Sequence, residues 1–327
     1  IIKSRFDVAK DLLDEDLDFL HVTIFYINAL HHFLWDTDSV KKAWKIIDKG
    51  IGRLMLEDKY NIIIMSDHGS NKIKQIFNIN VWLEKEGYLI LRSTPSNFLY
   101  KFGITKKRVH RAANIIHLTK ILGHVIPKKL RNILPESDGS IGGMMLGEEK
   151  SNAVDWEKTR ALASGQGPIY INPRIRGGQY EELRNELIRK LECLENPLTG
   201  KRVVYRVYKK EEIYSGEYSE EAPDLVIDQA KGVHIPDNIG GKKIFDTVEE
   251  NKWRGENKKI GLFMAYGPDI KGVGRIKNVS ILDLAPTILH MMGIPVPRDM
   301  DGKVLNCLLY TSPSPRDLST SRMPSSA

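Results

Sequence analysis

Four consecutive apolar residues, Ile62-Ile63-Ile64-Met65, run straight into Ser66-Asp67-His68-Gly69. A short, wholly apolar run of this kind reads as a strand buried on both faces. Its end then delivers an acid and an imidazole to the carboxyl edge of a sheet, where open α/β folds bind ligands. A glycine next allows a sharp exit. A carboxylate beside an imidazole suits a divalent cation. The same Asp-His-Gly also suits a turn that Asp67 merely caps.

The flanking pattern extends this picture. Lys3–Glu15 reads as a helix, Leu17–Ile27 as a strand rich in β-branched and aromatic residues, Thr37–Glu57 as an amphipathic helix, and Asn61–Met65 as the apolar strand. Strand, helix, strand predicts a mostly parallel central sheet with helices on both faces. Farther on, Val81–Glu86, Tyr180–Leu194 and Ile281–Met292 read as helices; Pro168–Asn172, Val203–Val207, Leu225–Ile227 and Gly261–Tyr266 read as strands. The expected strand over Leu17–Ile27 also ends in ligand types, Asn28-Ala29-Leu30-His31-His32, with Asn28 and His32 one helical turn apart.

The 327 residues suffice for two domains or one large domain with insertions. Apolar residues at 41% and charged residues at 28% exclude a disordered chain and a membrane bundle. The least charged stretch, Leu20–Leu34, is shorter than the ~20 residues of a spanning helix. The chain does not begin with Met, which leaves an upstream leader open. The net charge of +7 is concentrated: nine Lys/Arg and no acid fall between Lys101 and Pro135. With apolar residues every three to five positions, this segment reads as basic amphipathic helices, suited to an anionic membrane surface, a phosphorylated substrate or simple solvation. No nucleic-acid motif accompanies the charge. From Cys307 the chain reads as the translation of a transposon-type sequencing adapter, so 307–327 is expected to be a non-native tail. That leaves Cys193 as the one native cysteine, which fits a reducing, cytoplasmic compartment.

Several segments together resemble the type I phosphodiesterase/nucleotide pyrophosphatase branch of the alkaline phosphatase superfamily, and its archaeal and bacterial predicted phosphohydrolases in particular. They are HHFLW, IIIMSDHG, FNINVWLEKEGYL, VDWEKTRALASGQGPIYIN, EEIYSGEYSEEAPDLVI, GLFMAYGPDIK and ILDLAPTILHMMGIPVPRDMDGKVL. The resemblance implies an alkaline phosphatase-like α/β sandwich with a catalytic core over 1–95 and 233–306. It further implies a basic helical cap over 96–150 and an inserted α/β segment over 151–232. A Thr or Ser nucleophile and a first metal-binding Asp would lie before residue 1, so these residues alone are expected to be inactive.

The resemblance also implies two divalent cations, zinc or else manganese or magnesium, serving hydrolysis of phosphodiesters, nucleotides or phosphomonoesters. Asp67 and His68 match ligands of one cation and His32 a ligand of the other. The family's Asp-x-x-x-His reads Asn28-Ala29-Leu30-His31-His32 here, and its Gly-x-His reads Gly255-Glu256-Asn257. Asn28 and Asn257 thus replace charged or imidazole ligands, which weakens that site and turns it toward hard cations. His31 and Glu256, each next to an altered position, are the candidate substitutes. Arg160 and Asn172 are candidate substrate-binding residues, arginine being suited to phosphate. Asp155-Trp156 and Pro223-Asp224 read as capping and fold-closing residues. A phosphotransferase acting on lipid or glycan, and a catalytically weakened homologue, are the competing readings.

Overall fold

The computed structural model describes residues 1–15, 17–57, 59–93, 153–248 and 253–310. The basic segment and most of the expected tail lie outside these residues. The chain divides into two compact units, Ile1–Lys72 with Trp253–Ala327, and Ile73–Lys252. The first unit begins with α1 (Ile2–Leu12), α2 (Tyr26–Leu34), α3 (Asp38–Leu54), β1 (Ile62–Met65) and β2 (Gly69–Lys72). The second contains β3 (Gln75–Phe77), α4 (Ile79–Lys85), β4 (Ala161–Ala163), β5 (Pro168–Ile171), α5 (Gly178–Glu192), β6 (Glu195–Asn196) and β7 (Lys201–Arg202). It continues with β8 (Val204–Lys209), α6 (Lys210–Ile213), β9 (Leu225–Gln229), β10 (Val233–His234) and β11 (Phe245–Asp246). The chain then returns to the first unit with β12 (Gly255–Lys258), β13 (Phe263–Tyr266) and α7 (Leu284–Met291). No described helix is long and apolar enough to cross a membrane.

The fold is mixed α/β, but the described sheets are largely antiparallel rather than mostly parallel. β1 pairs antiparallel with β13, Ile62 opposite Tyr266, and β12 antiparallel with β2. Only β3 with β10 is a parallel pair among the described residues. An apolar run reports burial, whereas strand direction depends on where the chain returns, which is a non-local property. Even the burial is partial: Met65, Met264 and Tyr266 are exposed. The expected strand over Leu17–Ile27 does not form. Its residues 19–25 join no described ladder, and Tyr26 and Ile27 instead open α2.

In the first unit, α2 is held against β2 and β12. Gly255 makes this possible, because a β-carbon there would overlap the carbonyl of His31 and the ring of Trp35. His32 Nδ1 donates to the Gly255 carbonyl at 2.8 Å, and the Arg254 amide donates back to the His32 carbonyl at 2.6 Å. Past the end of α2, Lys72 reaches Asp36 at 2.6 Å, and this hydrogen bond holds the Asp36 carboxyl below its ordinary range. α3 lies beside α1, with Phe6 seated over Gly50.

The second unit has its own core. The antiparallel sheet β4-β5-β9-β8 packs Ile169, Val207, Leu225 and Ile227 against Leu183, Leu187 and Leu191 of α5. Phe77, Ile79, Trp82, Leu83, Val233 and Ile235 are buried in the same cluster. The described residues 73–93 and 233–248 belong to this unit. Asp224 closes it as expected, accepting from the Ile171 amide and the Tyr180 hydroxyl, each at 2.6 Å. Arg184, with a side chain only 4% exposed, bonds Glu181 at 2.7 Å and Glu211 at 2.8 Å.

Two expectations follow from this packing. Gly255→Ala should force α2 away from β12 and cost about 1–3 kcal/mol, as overpacked contacts do; urea unfolding of the first unit would register it. Arg184→Met should cost about 2 kcal/mol at neutral pH, less than for a fully buried pair because both glutamates are half-exposed. Bonding to Arg184 holds the Glu181 carboxyl below its ordinary 4.5. Its contribution is therefore complete above that value and is lost as pH falls through the folded-state value. The difference between parent and variant in urea melts should accordingly narrow in acid.

Candidate metal centre

Every residue of the candidate centre comes from the first unit. α2 carries Asn28, His31 and His32 at positions i, i+3 and i+4, so all three share one helical face. On the paired strands, Asn257 stands opposite Ser70, and Gly255 opposite Lys72. Directly opposed residues share a face, and alternate residues of one strand do too. Since Gly255 faces His31, Asn257 and Ser70 face α2 as well. Asn71 and Glu256 point to the other side of the ribbon.

Hydrogen bonds fix the imidazoles. His32 donates through Nδ1 to the Gly255 carbonyl, which puts the neutral ring's lone pair on Nε2. His68 does the same with the Gly69 carbonyl at 2.9 Å. A metal-binding histidine characteristically has its second ring nitrogen anchored in this way. The ring of His32 also stacks on Trp253 with centroids 4.0 Å apart, which sets its plane.

His68 Nε2 lies 3.6 Å from Asp67 Oδ2, while Asp67 Oδ1 accepts the His68 amide at 3.0 Å. A proton or a cation between the two groups would satisfy both. Ligands at ~2.0–2.1 Å around a tetrahedral ion are about 3.4 Å apart, close to this gap. Asp67 is 80% exposed and His68 only 23%, so the pair opens outward from β1.

Asn28 Oδ1 and Asn257 Oδ1 are buried without a hydrogen-bond partner among the described residues. Leaving such an acceptor unsatisfied costs about 1–3 kcal/mol. A buried amide oxygen without a partner is a suitable donor for a hard cation, so the residues fit the group that the resemblance implies. No three His, Cys, Asp or Glu side chains among the described residues converge as a metal site.

The two candidate substitutes are engaged elsewhere. His31 Nε2 accepts from the Trp44 indole at 3.0 Å, and its Nδ1 donates to Ser70 Oγ at 3.2 Å. Burial holds its pKa below the ordinary 6.5, and the neighbouring His32 and His68 lower it further. Glu256 is 1% exposed on the far face, where Oε1 accepts the Asn257 amide. Arg160 and Asn172 belong to the second unit. The Arg160 guanidinium lies over the Tyr88 ring at 5.5 Å. Asn172 donates to the carbonyls of Trp156 and Thr159 and accepts the Arg174 amide, which makes it a local staple of the backbone. Ser70 and Trp44 carry no signal in the sequence, because neither belongs to a ligand spacing.

Comparison with known proteins adds to this geometry. The profile of the type I phosphodiesterase / nucleotide pyrophosphatase family matches residues 2–257. Among solved structures, phosphonoacetate hydrolase from Sinorhizobium meliloti 1021, in complex with phosphonoacetate, superposes with a TM-score of 0.40 at 11% identity. The match covers 81% of this chain and 49% of that enzyme, so the chain spans about half of its length. No curated protein matches. With most of its length under the family profile, the chain belongs to the type I phosphodiesterase / nucleotide pyrophosphatase family.

Proposed function

We propose that this chain serves a metal-dependent phosphohydrolase acting on phosphodiesters, nucleotides or phosphomonoesters. Divalent cations would be held by two donor sets, Asp67 with His68, and Asn28 with His32 and Asn257. The observation that carries the reading is the pair of buried, unpartnered amide oxygens of Asn28 and Asn257 on the face shared with His32. Membership in a phosphodiesterase family supplies the reaction class.

The chemistry a bound divalent cation supplies is Lewis-acid polarisation of a phosphoryl oxygen. The protein's own part is positional. The Gly255 and Gly69 carbonyls keep His32 and His68 from turning, and Trp253 covers one face of the His32 ring. Because Asn28 and Asn257 are uncharged, that donor set provides no anion to offset dehydration of the ion, and it holds a hard cation weakly. Slow turnover, or a weakened homologue, follows from the same substitution.

Calorimetric titration of the full chain with Mn²⁺ and Zn²⁺ tests the reading. Asn28→Asp combined with Asn257→His should tighten binding at the weaker site at least about tenfold, the two changes acting non-additively because they share one ion. Asn257→Ala should weaken it further. Absence of any divalent-cation binding, or equal affinity in parent and Asn257→Ala, would overturn the assignment.

A further inference from the structure

Trp44, His31 and Ser70 form a directed chain that the metal reading does not use. The indole Nε1–H of Trp44 can only donate, and it donates to His31 Nε2 at 3.0 Å. With that lone pair on Nε2, the neutral imidazole carries its proton on Nδ1. His31 therefore donates to Ser70 Oγ at 3.2 Å, and the serine is the acceptor. The proton of the Ser70 hydroxyl then has to point elsewhere, and among the described residues Ser70 Oγ makes no second side-chain hydrogen bond. Each link is oriented the same way, and donors aligned in series polarise one another.

The chain ends at the candidate centre. Ser70 is opposite Asn257 on the face toward α2, with cross-strand β-carbons typically about 4.5–5.5 Å apart. Across the ladder, Asn257 Oδ1 is buried and unpartnered, as is Asn28 Oδ1 on the α2 face that carries His31. A hydroxyl with a free proton next to donor-type oxygens complements an anionic group that also touches a cation. We infer that Ser70 is a substrate-binding residue that donates its hydroxyl proton to a phosphoryl oxygen, oriented by His31 and Trp44 as positioning residues. This rests on the phosphohydrolase reading for its ligand class, whereas the direction of the chain is independent of any metal.

Inorganic phosphate titrated calorimetrically into the full chain, with and without Mg²⁺, tests the inference together with NMR of the side-chain N–H groups. Phosphate should shift the His31 Nδ1–H and Trp44 Nε1–H resonances, a response a purely structural chain would not give. Ser70→Ala should weaken phosphate binding about tenfold and abolish those shifts, consistent with loss of one hydrogen bond to a charged group. Ser70→Thr should retain both, and Trp44→Phe should lose part of the affinity. Mg²⁺ affinity measured without phosphate should be unchanged in Ser70→Ala.

Equal phosphate affinity in parent and Ser70→Ala, absence of phosphate binding by the parent, or unmoved resonances would overturn the inference. Loss of Mg²⁺ affinity in Ser70→Ala would also overturn it, by making Ser70 a cation ligand. If the parent binds phosphate but no Mg²⁺, the cation assignment fails while the Ser70 chain stands or falls on the metal-free titration.

Discussion

Pairing of β2 with β12 is the constraint on which the candidate centre depends. It joins segments such as Asn71 and Glu256, 185 residues apart, and its register decides which side chains meet α2. A shift of one residue would turn Asn257 and Ser70 away and bring Asn71 and Glu256 inward, because strand faces alternate. Gly255 then sets the distance of approach. Without a side chain there, the carbonyl of Gly255 meets His32 and the backbone of α2 meets the strand.

The electrostatics of the centre follow from that placement. Burial holds the pKa of His31 below its ordinary value, and the nearby His32 and His68 lower it further. Imidazoles anchored by backbone carbonyls, two amide oxygens and a single exposed carboxylate carry little negative charge as a candidate donor set. Under the proposed assignment, such a set would hold a cation by geometry more than by Coulomb attraction and would repel an incoming phosphate less than a carboxylate-rich set.

Local patterns were legible in the sequence to different depths. The helical stripe of Thr37–Glu57 becomes α3, and the apolar run before Asp67 becomes β1, since each depends on residues close in sequence. The direction of β1 was not legible, because its partner β13 arrives far later in the chain, Phe263 opposite Met65, by a path that no periodicity encodes. Leu17–Ile27 misled for a related reason. Its β-branched and aromatic residues favour a strand, but a strand requires a ladder partner, and helix formation from Tyr26 serves the face carrying Asn28 and His32. As candidates, Asn28, His32, Asp67 and His68 were visible as spacings. Ser70 and Trp44 were not, since their meaning arises only from a cross-strand pair and an indole reaching from the next helix.

The two asparagines raise the question of whether a neighbour compensates for them. Glu256 is one residue from Asn257, but adjacent residues in a strand point to opposite faces, and its carboxylate is already bonded to the Asn257 amide. Turning it inward would require a bulge in β12 and would break the pairing that seats α2. His31 is one residue from His32 and shares the helical face, yet one of its nitrogens accepts from Trp44 and the other donates to Ser70. Serving as a ligand would require breaking at least the Trp44 bond. Neither neighbour can replace a lost ligand without dismantling a contact that builds the centre. The proposed centre therefore relies on the amide oxygens of Asn28 and Asn257, which are buried and without a hydrogen-bond partner among the described residues.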